Sequence, residues 1–382
     1  MEPLMYCCCG LDVHKDLIEA CILRGVGQEP EIVRASFGTT RTELSALTNW
    51  LTENECYSVA MESTGVYWKP IYQTLEICSE YIEQIWVVNA RHARNLPGRK
   101  SDVADAQWLA TLLRHGLLEK SFIPPVDIRD LREYTRLHRT FVQERCRYVN
   151  RLEKFLQAHG FKFSSVMKDV LSASGRNLLD ILCSTGRITP EDVKLNCRRL
   201  RSAFTEICAA VCGNLCPAEQ CLLKHLLHKI DACQEDIESI LCDMQLLCEP
   251  FTIQLDIIDS IPGFDLRASI EIIAEISAAP QEHFSSPEKL CSWAGVVPRN
   301  DESAGKIKSR KTLHGNKYVK SILCQAAWAA VRVRGSSFHA WFWSHQRKVG
   351  QKKAIIAVAR KLLKLIYLLL SAGELYKPPQ IE

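Results

Sequence analysis

Tyr6-Cys7-Cys8-Cys9-Gly10-Leu11-Asp12-Val13 is the stretch on which the reading of the fold turns. All of it except Asp12 is apolar or small, and a short run of that kind bounded by turn residues reads as a buried β-strand. A carboxylate inside such a run needs a partner, a metal ion or a place on the functional surface of a sheet. His14-Lys15-Asp16 then supplies a turn, and Ile18 to Arg24 is a second apolar run, so the chain is expected to double back as an antiparallel pair. Ile32 to Phe37 follows as a third strand.

Working outward, Thr42 to Leu51 has helical spacing and leads into the apolar strand Tyr57 to Met61, with Glu62 at its end before Ser63-Thr64-Gly65. A second helix begins after Gly65. Gln84 to Asn89 reads as another buried strand and Asp102 to His115 as a closing helix. An antiparallel opening followed by strand and helix units describes a ribonuclease-H-like sheet, so residues 1–125 are expected to form an α/β domain.

Four carboxylates occupy informative places in that layout. Asp12 lies within the first strand and Glu62 ends a neighbouring one, while Asp102 and Asp105 stand three apart, on one side of a helix. Oxygen donors suit a hard divalent cation, and paired ions can stabilise the attacking and leaving oxygens of a phosphoryl transfer. The plain alternative for Asp102 is a helix N-terminal acid, and for Asp105 a solvated residue. Between the last strand and the helix, Arg91, His92, Arg94, Arg99 and Lys100 form a basic stretch without an acid. It reads as a phosphate holder beside the carboxylates or as a solvated loop.

Composition narrows the class. The chain has 382 residues, 47% hydrophobic and 24% charged, which suits two or three globular domains. Residues 1–126 carry 11 Lys+Arg against 16 Asp+Glu, although the whole chain is +4. The imbalance suits an acidic catalytic module joined to parts that hold polyanions, and scattered surface charge gives the same sum. The opening MEPLMYCCCG has no signal-peptide pattern, and Leu362 to Ala372 is too short to span a membrane, so a cytoplasmic protein without a membrane segment is expected. The 18 cysteines are scattered and read as free thiols. Cys208, Cys212, Cys216 and Cys221, with His225 and His228, contain no CxxC pair, and their steps of mostly four residues suit packing along a helix better than zinc.

Ile123-Pro124-Pro125-Val126 marks a boundary. Residues 128–158 predict one long helix with Arg129, Arg132, Arg136, Arg139, Arg145, Arg147 and Arg151 along it, suited to salt bridges within the helix or to nucleic-acid phosphate. Residues 160–217 read as irregular and Ala218 to Leu247 as a second long helix, giving a helical assembly region over 126–250. The third region, 251–382, is expected to be mostly helical. It opens with Ile261-Pro262-Gly263 between helices, which reads as a helix-hairpin-helix or an ordinary turn. Lys306, Lys308, Arg310, Lys311 and Lys317 make a second basic segment, and Ala354 to Leu370 a closing helix.

The segments Gly10-Leu11-Asp12-Val13-His14-Lys15, Met61-Glu62-Ser63-Thr64-Gly65-Val66-Tyr67-Trp68 and Lys100-Ser101-Asp102-Val103-Ala104-Asp105-Ala106 resemble the insertion-sequence transposases with a RuvC-like DEDD domain, the bridge-RNA-guided recombinases. Ile261-Pro262-Gly263, Gly295-Val296-Val297-Pro298-Arg299, Ser303-Ala304-Gly305-Lys306 and His314-Gly315-Asn316-Lys317 resemble the second domain of the same family, with Ala304 where many members have glycine. The resemblance implies metal-ligand roles for Asp12, Glu62, Asp102 and Asp105, with Mg2+ or Mn2+ as the ion, and a nucleophilic role for Ser303. It also implies donor and target DNA and a guide RNA as partners, a bacterial setting, a coiled-coil region joining subunits, and a dimer or tetramer. Taken without it, Ser303 is a loop serine with no triad nearby. Two other classes stay open: a hydrolytic Holliday-junction-type nuclease using metal-activated water, and an actin-like nucleotide-binding protein, which needs glycine-rich phosphate loops, and none is apparent. A non-catalytic RNA-binding assembly is a third.

Overall fold

The computed structural model describes residues 2–78, 80–89, 102–197, 202–298, 301–303, 306–309, 312 and 314–378, and the backbone alone at 102–104, 301–303 and 306–309. The chain divides into two compact units, Met1–Ile123 and Pro124–Glu382.

In the first unit, β1 (Cys7–Val13), β2 (Ile18–Arg24) and β3 (Glu31–Phe37) form an antiparallel meander. Helix α1 (Arg41–Glu53), capped by the Thr40 side chain, leads to β4 (Ser58–Glu62), and α2 (Trp68–Ile77) leads to β5 (Gln84–Val88). Strands β1, β4 and β5 are parallel to one another, giving one five-stranded sheet in the order β3-β2-β1-β4-β5. The topology is that expected of a ribonuclease-H-like domain. Helix α3 (Asp102–Arg114) follows.

Strand alternation sorts the apolar residues between the two faces. Cys9, Leu11 and Val13 of β1 join Val59 and Met61 of β4 in a core with Leu44, Leu47 and Leu51 of α1 and Ile71 and Leu75 of α2. Cys8 and Ala60 turn the other way, onto Ala106, Leu109, Ala110 and Leu113 of α3. Gly10 lies on that second face for a steric reason. A Cβ there would stand 2.1 Å from the Ala106 carbonyl oxygen and 2.5 Å from the Ala110 nitrogen, and both are backbone atoms that cannot swing aside. Glycine in this strand therefore marks the closest approach of helix to sheet. Gly10→Ala is expected to destabilise the unit by about 1–3 kcal/mol through overpacking. A thermal melt measures it, and an unchanged midpoint would contradict the close packing.

The second unit begins with α4 (Val126–Ala158), entered through Pro125. It pairs antiparallel with α9 (Pro217–Leu247). His159, just past α4, lies 3.3 Å from Glu219 near the start of α9, and Leu152 and Leu156 share a core with Leu223, Leu227 and Ile230. Both long helices follow the spacing of the sequence.

The intervening segment corrects the expectation of irregular structure over 160–217. It holds α5 (Phe163–Val166), α6 (Ala173–Thr185), α7 (Pro190–Asn196) and α8 (Phe204–Val211), with β6 (Arg187–Ile188) pairing β7 (Gly213–Asn214). Phe161, Phe163, Leu178, Leu179, Leu182, Ile207 and Val211 pack with the ends of α4 and α9 in one core. Three of the four have eight residues or fewer, too short for periodicity to stand out, and burial against the long pair holds them instead. Cys208 and Cys212 sit partly buried against this core, whereas Cys216 and Cys221 are exposed.

The remainder is mostly helical: α10 (Thr252–Asp259), α11 (Leu266–Ile276), α12 (Pro287–Trp293), a hairpin of β8 (Asp301–Ser303) and β9 (Lys306–Ser309), then α13 (Lys317–Ala330), α14 (Ser337–Val349) and α15 (Gln351–Ala372). Ala354, Val358, Ala359, Leu362, Leu363 and Ile366 bury one face of α15. The Ile261-Pro262-Gly263 turn joins α10 to α11, and its glycine has φ +98° with a Cβ position 2.3 Å from the Ala326 carbonyl oxygen of α13. A side chain is thus excluded there by both conformation and contact. Among the described residues, no helix is long and apolar enough to cross a membrane.

Candidate active site

The last matched pair between β1 and β4 is Leu11 beside Met61. One residue further along each strand come Asp12 and Glu62, neighbours at the C-terminal ends of adjacent parallel strands. Alternation puts Asp12 on the side of Gly10, and Glu62 on the side of Ala60, so both belong to the face covered by α3. Helix α3 runs back along β1. The Cys8 thiol donates to the Ala110 carbonyl at 3.3 Å, and Gly10 abuts Ala106. One helical turn before Ala106 is Asp102, and one before Leu109 is Asp105, which brings the start of α3 level with the strand ends. Gly10 thereby fixes how near the helix start can come.

Asp12 keeps 15% of its side chain exposed, and its Oδ2 lies 3.1 Å from His14 Nε2. Asp105 is half-buried, and Asp102 begins the helix. All these donors but His14 are carboxylate oxygens, which fit a hard divalent cation in kind. Among the described residues, no three His, Cys, Asp or Glu side chains gather closely enough to hold an ion. The Asp102 side chain falls outside that set. The basic stretch of Arg91, Arg94, Arg99 and Lys100 lies outside the described residues.

In the second unit, Ser303 ends β8, and its partner across the hairpin is Lys306, the first residue of β9. Read from residue chemistry it was a loop serine, whereas the backbone here is a strand ending at the turn. Thr312 pairs with Pro298 below the hairpin and accepts a hydrogen bond from Lys320 Nζ at 2.7 Å, which ties this base to α13. Lys308 lies in β9, Lys317 is the exposed first residue of α13, and Arg310 and Lys311 lie outside the described residues.

The anchor of this region is a buried ion cluster that sequence reasoning did not find. Glu275 of α11 is 1% exposed. Arg136 of α4 grips it with two hydrogen bonds, of 2.9 and 3.0 Å, and Asn316 Nδ2 donates to it at 2.6 Å. Asn316 Oδ1 in turn accepts from the Tyr318 and Val319 amides and caps α13. Arg132 donates to the Ala274 and Glu275 carbonyls, and burial pulls its guanidinium down to about 10 even with Glu275 beside it. Three arginines of α4 are therefore turned inward, since Arg139 also donates to Ser321 Oγ at 2.8 Å. Their spacing in sequence was equally consistent with a solvated helix. Glu275→Ala leaves two partly buried guanidiniums without their carboxylate and is expected to cost about 3–5 kcal/mol. A loss below about 1 kcal/mol in denaturant unfolding, the size of an exposed pair, would contradict this role.

Two family models match these regions. Residues 9–160, which include Asp12, Glu62, Asp102 and Asp105, match a transposase model of the IS110 DEDD type. Residues 255–342, which include Ser303, match the model described as transposase of the IS116/IS110/IS902 family. The matched spans together exceed half of the chain. No curated protein sequence matches it.

Proposed function

The chain belongs to the IS116/IS110/IS902 family of transposases, and on that premise we propose that this DNA-processing enzyme is a recombinase that cuts and rejoins DNA strands through Ser303. The observation that carries the reading is the placement of Asp12 and Glu62 side by side at the ends of adjacent parallel strands, beneath the start of the helix that bears Asp102 and Asp105. These four residues would hold Mg2+ or Mn2+, which supplies positive charge to phosphate oxygens during transfer.

The Ser303 hydroxyl attacks a DNA phosphorus and gives up its proton to solvent, a Ser–O–P bond forms as one P–O bond of the phosphodiester breaks, and the departing DNA oxygen takes up a proton and leaves as a hydroxyl. Because the bond is exchanged, not hydrolysed, a second DNA hydroxyl can reverse the step and join a new partner. Arg91, Arg94, Arg99, Lys100, Lys306, Lys308, Arg310, Lys311 and Lys317 hold the nucleic-acid backbones by charge. A guide RNA pairs with donor and target DNA, so base pairing reads the sequence while the protein holds shape and backbone. Assembly as a dimer or tetramer in the bacterial cytoplasm completes the reading, with 1–125 as the RuvC-like domain, 126–250 as the assembly region and 251–382 as the serine domain.

The test is to incubate the purified chain with its guide RNA, Mg2+ and labelled donor and target duplexes. Joined donor–target strands are expected. Cut ends alone, each with a free terminal phosphate, would replace recombination with the hydrolytic nuclease.

A further inference from the structure

Between α4, α11 and α13 lies a cavity of about 180 Å³ lined by His138, Arg139, Arg267, Glu271, Ile322 and Gln325, among others. It is far larger than the roughly 10–15 Å³ one water needs. Of its two guanidiniums, Arg139 is half-buried and Arg267 is exposed.

The charge around the cavity is unbalanced. Arg139 and Arg267 supply two guanidiniums against the single carboxyl of Glu271, which burial pushes up toward its neutral form. A cation is disfavoured in such surroundings, and an apolar occupant would desolvate guanidinium N–H groups without offering them an acceptor. An oxyanion satisfies both conditions, because guanidinium N–H groups make their strongest hydrogen bonds to charged oxygen. We propose that this cavity receives a phosphate ester of a nucleotide, held by Arg267 and Arg139. The proposal rests on the nucleic-acid reading above and adds a defined receptor in the second unit, apart from the two basic segments. The ester can come from a polynucleotide strand or from a free nucleotide.

Two variants separate the cavity from general charge. Arg267 and Gln325 are both exposed, so neither Arg267→Gln nor Gln325→Trp removes packed structure, while the second blocks the cavity without changing charge. Binding of the full chain to a single-stranded RNA 12-mer and to adenosine monophosphate is followed by fluorescence anisotropy and calorimetry. Arg267→Gln is expected to weaken binding about tenfold, the loss of one charge-assisted contact, and Gln325→Trp by at least about tenfold, because it keeps the ester out of the cavity. For Arg267→Gln the log–log salt slope of 12-mer binding should also fall by about one. Loss with the 12-mer alone assigns the ester to a strand, and loss with the monophosphate assigns it to a free nucleotide.

Weakening by Arg267→Gln but not by Gln325→Trp would mean charge at a distance and overturn the cavity. The reverse pattern would overturn the anionic occupant, and no effect from either variant would overturn both. Donor–target joining by the wild-type chain is scored separately. Its failure removes recombination and leaves the cavity result standing, whereas joining with unaltered binding in both variants removes the cavity alone.

Discussion

Ser303→Ala is expected to eliminate the covalent protein–DNA product and to lower strand cleavage by at least about 10⁴-fold, the scale set when a nucleophile is deleted from a covalent mechanism. Alanine retains the strand backbone at the end of β8, where the pairing of Ser303 with Lys306 runs through the backbone. DNA and RNA binding should therefore persist. The measurement is a denaturing gel with end-labelled DNA, run beside a binding assay on the same preparations. Cleavage by the alanine variant at the wild-type rate would take Ser303 out of the chemistry and leave water as the nucleophile.

Asp105→Asn, and equally Asp102→Asn, is expected to abolish magnesium-dependent cleavage, with a loss of at least about 10²–10³-fold and little change in melting temperature. The sign follows from charge. Asparagine keeps the size of the side chain but removes the anionic oxygen that a hard cation requires. Were Asp105 only an acid in the first turn of α3, its interaction with the helix dipole would be worth about 0.3–1 kcal/mol, visible in stability and absent from catalysis. The two roles thus predict opposite patterns. Near-normal cleavage by a slightly destabilised variant would return Asp105 to a solvated acid in the first turn of the helix.

Much of the first unit was legible because its signals are local. The apolar runs through Cys7–Val13, Ile18–Arg24 and Gln84–Val88 sit between turn residues, and Asp12 stood out as the one charge in its strand. That Asp12 and Glu62 become neighbours was less accessible, since it depends on the parallel pairing of β1 with β4 across the intervening α1. Gly10 was visible as a glycine in a strand, but nothing local says that a helix from residues 102–114 lies against it.

In the second unit the short helices over 163–211 escaped periodicity although their capping signals are written in the chain. Thr189-Pro190-Glu191-Asp192 forms a capping box with Pro190 at the helix start, and Ser172 accepts from the Gly175 amide to start α6. The inward arginines of α4 were beyond local reading for another reason. Arg136 finds Glu275 from 139 positions away, and an arginine that pairs across such a distance looks in sequence like one that faces solvent.

The most direct test of the account is to identify the residue that carries DNA. The wild-type chain is reacted with labelled donor DNA, guide RNA and Mg2+, denatured and digested with protease, and the labelled peptide is sequenced by mass spectrometry. The expected result is a nucleotide joined through phosphate to Ser303. A cut substrate with no nucleotide on any peptide, or with the nucleotide on another residue, would contradict it.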